Sequence, residues 1–392
     1  MNILTISTLF PNEVNPRHGV FVENRLRHLL ASGEVESKVV APIPWFPFKG
    51  KLFGEYGQFA RVPATEFRHK IKIVHPRYLL VPKIGMNIAP EYMAKSIEKS
   101  VKKIIQDGFK VDIIDAHYFY PDGVAAVKVS KALNIPITIT ARGTDLNLIP
   151  QYSKPRQMIK WAAQNADGLI TVCQALKDVL IHLDVPAEKI TVLRNGVDLQ
   201  MFSPPEDRNS LRSKLNIEGK TLLSVGHLIE RKGHDLVIKS IKLLDNVNLL
   251  IAGDGEEAES LKRLVKEQRL ESRVRFLGSV PHAKLKEYYG AVDALILASS
   301  REGWANVLLE SMACGTPVVA TNIWGTPEVV TNSSAGVLVE RTPESISEGV
   351  KKLFMNYPDR MLTRRYAEKF SWDDTTSGQL KLFKDILAKT LT

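Results

Sequence analysis

The sequence predicts an α/β protein of two consecutive units, each a parallel sheet covered on both faces. Three observations carry this. At 392 residues the chain exceeds what one hydrophobic core usually supports. Short β-rich apolar runs alternate along it with amphipathic segments long enough to serve as crossovers. The rhythm breaks once, at the polar stretch Asp198 to Lys220 with its Pro204-Pro205 pair, as a linker would. Hydrophobic residues at 44% and charged residues at 24% are ordinary for a folded globule and exclude wholesale disorder. No apolar run approaches the roughly 18 residues of a membrane span.

In order, the first half supplies the strand candidates NILTIS, KVVAPI, VDIIDA, PITIT, GLITV and KITVL, and the second half TLLSVG, VNLLIAGDG, DALILAS, TPVVAT and AGVLVE. The expected boundaries are 1–203 for the first unit and 204–370 for the second. A closing helix over 371–392 has a pattern suited to packing back across the two. The opening MNILTISTLFPNE has no basic leader and no small-residue cleavage site, so it reads as a buried strand of a cytoplasmic protein. Cys173 and Cys314 stand far apart without metal-type spacing and are expected as reduced core thiols. Net charge is +10, unevenly spread: residues 1–203 carry 26 Lys+Arg against 18 Asp+Glu, and residues 204–392 carry 27 against 25. A first half at +8 suits an anionic partner, whether nucleic acid, phosphorylated lipid or membrane surface.

Gly253-Asp-Gly-Glu-Glu-Ala258 follows a strand and satisfies the dinucleotide fingerprint G-x-G-x-x-A. Asp254, Glu256, Glu257 and Glu259 would crowd a pyrophosphate with negative charge, and acids in a first helical turn are what the macrodipole favours without an anion. A helix start with acidic capping is the better reading.

SREGWANVLLESMACGTPVVAT places Glu302 in a loop after a strand and Glu310 within the following helix, ended by Gly315 and Pro317. Two acids eight residues apart on one helix would diverge by about 80°. With one in the loop, both can approach a ligand over the helix start, where N–H groups of Gly303 to Asn306 suit phosphate. Carboxylates beside phosphate should bind hydroxyls, so a diphosphate flanked by polyols, a nucleotide sugar, fits. The bland alternative is one loop acid and one solvated helix acid. His227-Leu-Ile-Glu-Arg231-Lys232-Gly233 follows TLLSVG, so Arg231 and Lys232 stand at the C-terminal edge of a parallel strand, where open α/β sheets bind ligands. Alone, they are as readily a solvated turn.

VGHLIERKGHDLVI, IAGDGEE, SREGWANVLLESMACGTPVVAT, WGTPEVV and VLRNGVDLQMF resemble, in order and spacing, glycosyltransferase family 4, retaining enzymes of the GT-B fold. The resemblance spans nearly the whole chain and extends more loosely to the teichuronic-acid and exopolysaccharide branch. It implies two Rossmann-like domains facing across a cleft, acceptor on the first and nucleotide-sugar donor, UDP or GDP type, on the second, without cofactor. By the family pattern Glu310 would take the ribose hydroxyls, Glu302 the 3-hydroxyl region of the donor sugar and Lys232 the diphosphate. Gly303, Trp304, Ala305, Asn306, Val307 and His227 would line the donor, and Glu302, Lys232 and Arg231 would carry catalysis. The loop Pro16-Arg-His18-Gly19 would approach the cleft, although members commonly show Gly-Gly where this chain has His18-Gly19.

Two departures matter. Members often have Arg after the glycine of the first C-domain strand, where this chain has His227, which shifts diphosphate charge to Arg231. They often have His at the end of the strand matched by PITITAR, where this chain has Arg142, which cannot act as a base at neutral pH. Arg142 suits a phosphate or anionic acceptor, or equally a structural pairing with Asp145. His117, at the end of VDIIDAH, is open between cleft residue and structural histidine. No two aspartates are spaced D-x-D, consistent with metal-independent transfer in which cations and a helix start do the electrostatic work. A sugar-nucleotide epimerase of the same fold and a basic nucleic-acid binder are the other classes, the latter lacking any recognition motif.

Pro44-Trp-Phe-Pro-Phe-Lys-Gly-Lys-Leu-Phe53 interleaves Trp45, Phe46, Phe48 and Phe53 with Lys49 and Lys51. The mixture suits an anionic membrane interface and a lipid-linked saccharide acceptor, as does the outer side of a helix from Glu91 to Asp107 bearing Lys95, Lys99, Lys102 and Lys103. Aromatics packed under a loop with solvated lysines is the competing reading.

Overall fold

A computed structural model describes residues 1–80 and 85–390. The chain divides into Met1–Arg194 with the segment from Asp373 onward, and Asn195–Trp372. The first unit contains β1 (Asn2–Ile6), β2 (Glu36–Val40), β3 (Ile43–Pro44), β4 (Thr65–Arg68), β5 (Ile71–Val74), β6 (Arg77–Tyr78), β7 (Ile113–His117), β8 (Ile137–Ala141), β9 (Gly168–Thr171) and β10 (Ile190–Val192). Eight of them form one sheet in the order β10-β9-β8-β7-β1-β2-β5-β4, parallel except for the edge strand β4. Ile3, Leu4 and Ile6 are wholly buried, as a central strand covered on both faces requires. The β4–β5 hairpin was not expected, although IKIV alternates in the manner of a half-buried strand. β3 and β6 pair separately and launch the aromatic segment after Pro44.

The second unit contains β11 (Lys220–Val225), β12 (Val247–Ala252), β13 (Val274–Gly278), β14 (Ala294–Leu297), β15 (Val318–Thr321) and β16 (Gly336–Val339), all parallel in the order β13-β12-β11-β14-β15-β16. Of these, β13 was missed because VRFLG is only half-buried and short of apolar signal.

The division falls after Arg194, nine residues before the expected boundary at 203. Residues 198–220 are no free linker. They hold the helix Arg208–Lys214, capped by Asp207 onto the N–H groups of Asn209 and Ser210. Arg208 and Arg212 bind Asp293, one residue before β14, at 2.6 and 3.4 Å. The closing helix, Trp372–Thr390, returns to the first unit, where Leu380, Phe383 and Ile386 pack on Ile3, Leu29 and Ile113.

Gly253 and Gly255 serve packing. A Cβ on Gly253 would lie 1.8 Å from the Gly226 carbonyl oxygen, because the loops leaving β11 and β12 run in contact. Leu228 N–H donates to the Asp254 carbonyl, and Glu257 N–H to that of Leu228, each at 3.0 Å. The helix Ala258–Glu267 that follows has Glu259 in its first turn but no side-chain cap, which corrects the expectation of acidic capping.

Candidate functional site

The chain leaves β11 at its C-terminal edge through Gly226 and turns back at Gly233. A Cβ on Gly233 would meet the Ala298 carbonyl oxygen at 2.3 Å, and its φ of +68° is left-handed, so glycine is required on both counts. This close approach sets the β11 loop against the loop after β14. His234 fastens it: Ser224 Oγ lies 2.9 Å from Nδ1, and Nε2 lies 3.3 Å from the His227 carbonyl. Burial pushes this imidazole down to about 4, so it is neutral and structural. The His227 side chain stands exposed at the rim.

The two loops bring three expected residues together. Lys232 Nζ donates to Glu302 Oε1 at 2.6 Å, Ser299 Oγ donates to the same oxygen at 2.7 Å, and Arg231 Nη1 stands 3.6 Å from it while donating to the Arg301 carbonyl at 2.7 Å. Among the described residues Oε2 of Glu302 has no hydrogen-bond donor. Burial would raise the Glu302 carboxyl, but Lys232 and Arg231 outweigh it and hold the group below its ordinary value. The site is an ionised acid beside two cations, with one acceptor oxygen left over.

Glu310 lies on the helix Asn306–Ala313 and engages other partners, His282 Nε2 at 2.8 Å and the Tyr289 hydroxyl at 3.0 Å. The helix start differs from expectation. Asn306 N–H turns back onto the Trp304 carbonyl at 3.1 Å, and Ala305 precedes the helix as its cap. The Trp304 indole points inward, donating to the Asn195 carbonyl at 3.0 Å and packing 6.1 Å from Phe370. Asn306 Oδ1 accepts from Asn195 Nδ2 at 3.4 Å. Gly303 is buried and Val307 half-buried. The side chains of Trp304 and Asn306 therefore support the loop from beneath.

In the first unit, Gly19 has φ +68° and would place a Cβ 2.2 Å from the Leu9 backbone, so the loop after β1 folds on itself and admits no side chain there. His18 Nε2 lies 3.1 Å from the Thr8 carbonyl, and burial lowers its pKa. His117 and Arg142, at the ends of β7 and β8, meet: Arg142 Nη2 donates to His117 Nδ1 at 2.6 Å. His117 Nε2 faces Asp115 Oδ2 at 3.1 Å, so both ring nitrogens are taken inside the protein. Burial, aided by Arg142 and opposed by Asp115, pushes this imidazole down to about 4. Asp145 accepts from the N–H groups of Phe119, Arg142 and Gly143, a clamp on the two loops. Asp115 also accepts from Gln379 at 2.8 Å and Thr138 at 3.2 Å, and Gln379 accepts from Arg25 Nε at 2.7 Å.

Reading the sequence did not single out Ser299, His234, His282, Tyr289, Asp115, Arg25 or Gln379. A signal existed for Asp115, an acid at the centre of a predicted buried strand. None existed for Gln379, 264 residues from its partner.

The sequence profile described as "Glycosyltransferase Family 4" matches residues 19–201, and "Glycosyl transferases group 1" matches residues 207–370. The chain is 26% identical over 359 residues to the putative teichuronic acid biosynthesis glycosyltransferase TuaC of Bacillus subtilis, covering 90% of this chain and 89% of that one. Among solved structures it resembles a sucrose-phosphate synthase from Thermosynechococcus elongatus at TM-score 0.81, with 19% identity over 99% of this chain and 100% of that one. It also resembles Anabaena HepE in complex with UDP at TM-score 0.74, with 18% identity over 98% and 100% of the two chains, a protein also crystallised with UDP-glucose. With two parallel α/β units, the strand-end cluster of acid and cations, and matches over both halves, the chain belongs to glycosyltransferase family 4 and has the GT-B fold.

Proposed function

We propose that the protein transfers a sugar, with retention and without a metal ion, from a UDP- or GDP-sugar to a lipid-linked saccharide in cell-surface polysaccharide synthesis. The observation that carries the reading is the joint placement of Lys232, Arg231 and Glu302 at two adjoining strand ends. The two cations would exchange part of their hold on Glu302 for the donor's diphosphate and neutralise it as it leaves, the electrostatic work a metal does elsewhere. The unoccupied oxygen of Glu302 would accept a hydroxyl of the transferred sugar, and Glu310 the ribose hydroxyls. In same-face transfer the bond from the anomeric carbon to phosphate oxygen breaks, the bond to acceptor oxygen forms, and the acceptor's proton passes to the departing phosphate. The nucleotides bound by HepE and the name of TuaC support donor class and pathway.

A surface feature supports the lipid-linked acceptor. Phe46, Phe48 and Phe53 cluster at ring separations of 5.1 to 5.9 Å, yet Phe48 is 56% and Leu52 99% exposed, with Trp45, Lys49 and Lys51 also in solvent. The aromatics thus pack on one another and leave an outward edge, so a loop does not cover them. Among the described residues no helix is long and apolar enough to cross a membrane, so this edge would hold the protein peripherally.

The test is a panel of UDP-, GDP- and ADP-sugars screened by thermal shift, then turnover with a saccharide-diphosphate-lipid acceptor in excess chelator. Saturable stabilisation by one UDP- or GDP-sugar and turnover unchanged by chelator are expected. Activity lost to chelator and restored by manganese or magnesium overturns the role given to Arg231 and Lys232, and isomerisation of the donor without acceptor overturns transfer.

A further inference from the structure

Glu310 is not left to orient itself. His282 opens the helix His282–Ala291, and Tyr289 lies seven residues on, so at about 100° per residue the two share one face. Each supplies one hydrogen bond to a different oxygen of the Glu310 carboxylate, His282 to Oε1 and Tyr289 to Oε2. Tyr289 is wholly buried and Glu310 is 7% exposed, whereas the His282 side chain is 43% exposed, so the pair grips the carboxylate from beneath and from its open side. Phe202 packs its ring 5.2 Å from His282 and 6.0 Å from Tyr289, and its carbonyl is held by Arg364 Nη1 at 2.6 Å. The imidazole is braced as well as bonded.

A carboxylate oxygen has two lone pairs, and a single donor to each leaves one on both for a ligand. A vicinal diol offers two O–H donors at a spacing that one carboxylate can accept side by side. Burying an acid and a tyrosine hydroxyl stabilises a helix contact less than apolar packing of the same volume would. We propose that His282 and Tyr289 are positioning residues that hold Glu310 for the ribose diol of the donor nucleotide. The proposal rests on reading Glu310 as the ribose ligand.

The experiment compares calorimetric binding of uridine 5′-diphosphate and its 2′,3′-dideoxy analogue to the full chain and to Tyr289→Phe, His282→Leu and His282→Gln. For a guanosine-selective protein the guanosine pair is used. The unaltered chain should prefer the ribonucleotide. Tyr289→Phe and His282→Leu should each weaken ribonucleotide binding about 5- to 30-fold, the cost of one unmade buried hydrogen bond, and leave dideoxynucleotide binding within about twofold. His282→Gln, which keeps a donor, should recover most of the loss. Equal weakening of both nucleotides, or none, overturns the positioning role while the ribose reading stands. Failure of the unaltered chain to discriminate the two nucleotides overturns the ribose reading, and the proposal with it.

Discussion

The two units place polar clusters at the same kind of location, the C-terminal ends of parallel strands, and use them in opposite ways. In the first unit Asp115, His117, Arg142, Arg25 and Gln379 are each at most 9% exposed and bond to one another. In the second, the side chains of Lys232, Arg231 and His282 are 15%, 29% and 43% exposed, and Glu302 and Glu310 keep lone pairs to spare. A sealed network cannot trade partners without leaving a charge stranded in low dielectric, so it behaves as scaffold. An open cluster can exchange an internal ion pair for a ligand at small cost. The histidine and arginine that the family pattern draws toward the first unit's site are, in this chain, fastened to each other.

The largest difference between the two clusters is expected at Asp115. Asp115→Leu removes the shared acceptor of His117, Gln379 and Thr138 and leaves Arg25 without its nearby counter-charge, so unfolding in urea should lose about 3–5 kcal/mol. Lys232→Ala should cost less, about 1–3 kcal/mol of stability, because Arg231 remains beside the largely buried Glu302 carboxylate. Its transfer rate should nonetheless fall about ten- to a thousandfold, as for loss of one electrostatic donor. Urea titration and turnover of both variants provide the check. Unchanged stability in Asp115→Leu, or unchanged rate in Lys232→Ala, would erase the distinction between the clusters.

Acid acts on both units through buried histidines. His117 in the first unit and His234 in the second are both pushed to about 4 by burial, below an unfolded value near 6.5. Between those values the unfolded chain binds more protons than the folded one, so stability is full above about pH 6.5 and is lost as pH falls toward 4. Each histidine contributes up to about 3 kcal/mol of that loss. His282 runs the other way: Glu310 raises it despite burial, so its contribution is present below about 6.5 and fades as pH rises through its folded value. Thermal unfolding from pH 4 to 8 should therefore show a shallower acid limb in His117→Asn and in His234→Asn, and a shallower alkaline limb in His282→Leu. Acid limbs identical to the unaltered chain would mean that these imidazoles are charged in the fold.

Most of the sheet frame was legible because strands buried on both faces are rich in apolar and β-branched residues, as β1, β7, β8, β11, β12, β14 and β15 are. The strands that escaped, β4, β5, β6 and β13, lie at or beside sheet edges and are half-buried, so their apolar signal is diluted. The clustering of Glu302 with Arg231 and Lys232 was readable from strand ends. Its physical cause was not, since the close approach of Gly233 to Ala298 depends on which strands become neighbours. Trp304, expected to line the donor, has its indole turned inward to the Asn195 carbonyl, a partner 109 residues away that no local spacing announces. The Pro204-Pro205 stretch resembled a linker by composition, while Arg208 and Arg212 bind it to Asp293 through contacts some 80 residues away.

The smallest effect concerns the outer surfaces. The first unit exposes Trp45 at 52%, Phe48 at 56%, Leu52 at 99% and Phe53 at 42% beside Lys49 and Lys51, whereas the second exposes Met355 at 76% and Met361 at 50% with a single ring, Tyr357 at 37%, between them. The first gathers several such rings, suited to headgroup depth, with lysines beside them. Sedimentation with vesicles of anionic lipid and of neutral lipid separates the two. The unaltered protein should pellet with anionic vesicles in low salt and be released as salt rises, because the lysines act through a screened surface potential. A basic side chain near such a surface is worth about 1 kcal/mol, so Trp45→Ala with Lys49→Glu, which reverses one charge and removes one ring, should lower the partition coefficient about tenfold or more. Met355→Ser should leave it unchanged. Equal recovery in the supernatant with both lipids, or equal loss of binding in Met355→Ser, would remove the membrane from the acceptor's description and make a soluble saccharide the substrate to test.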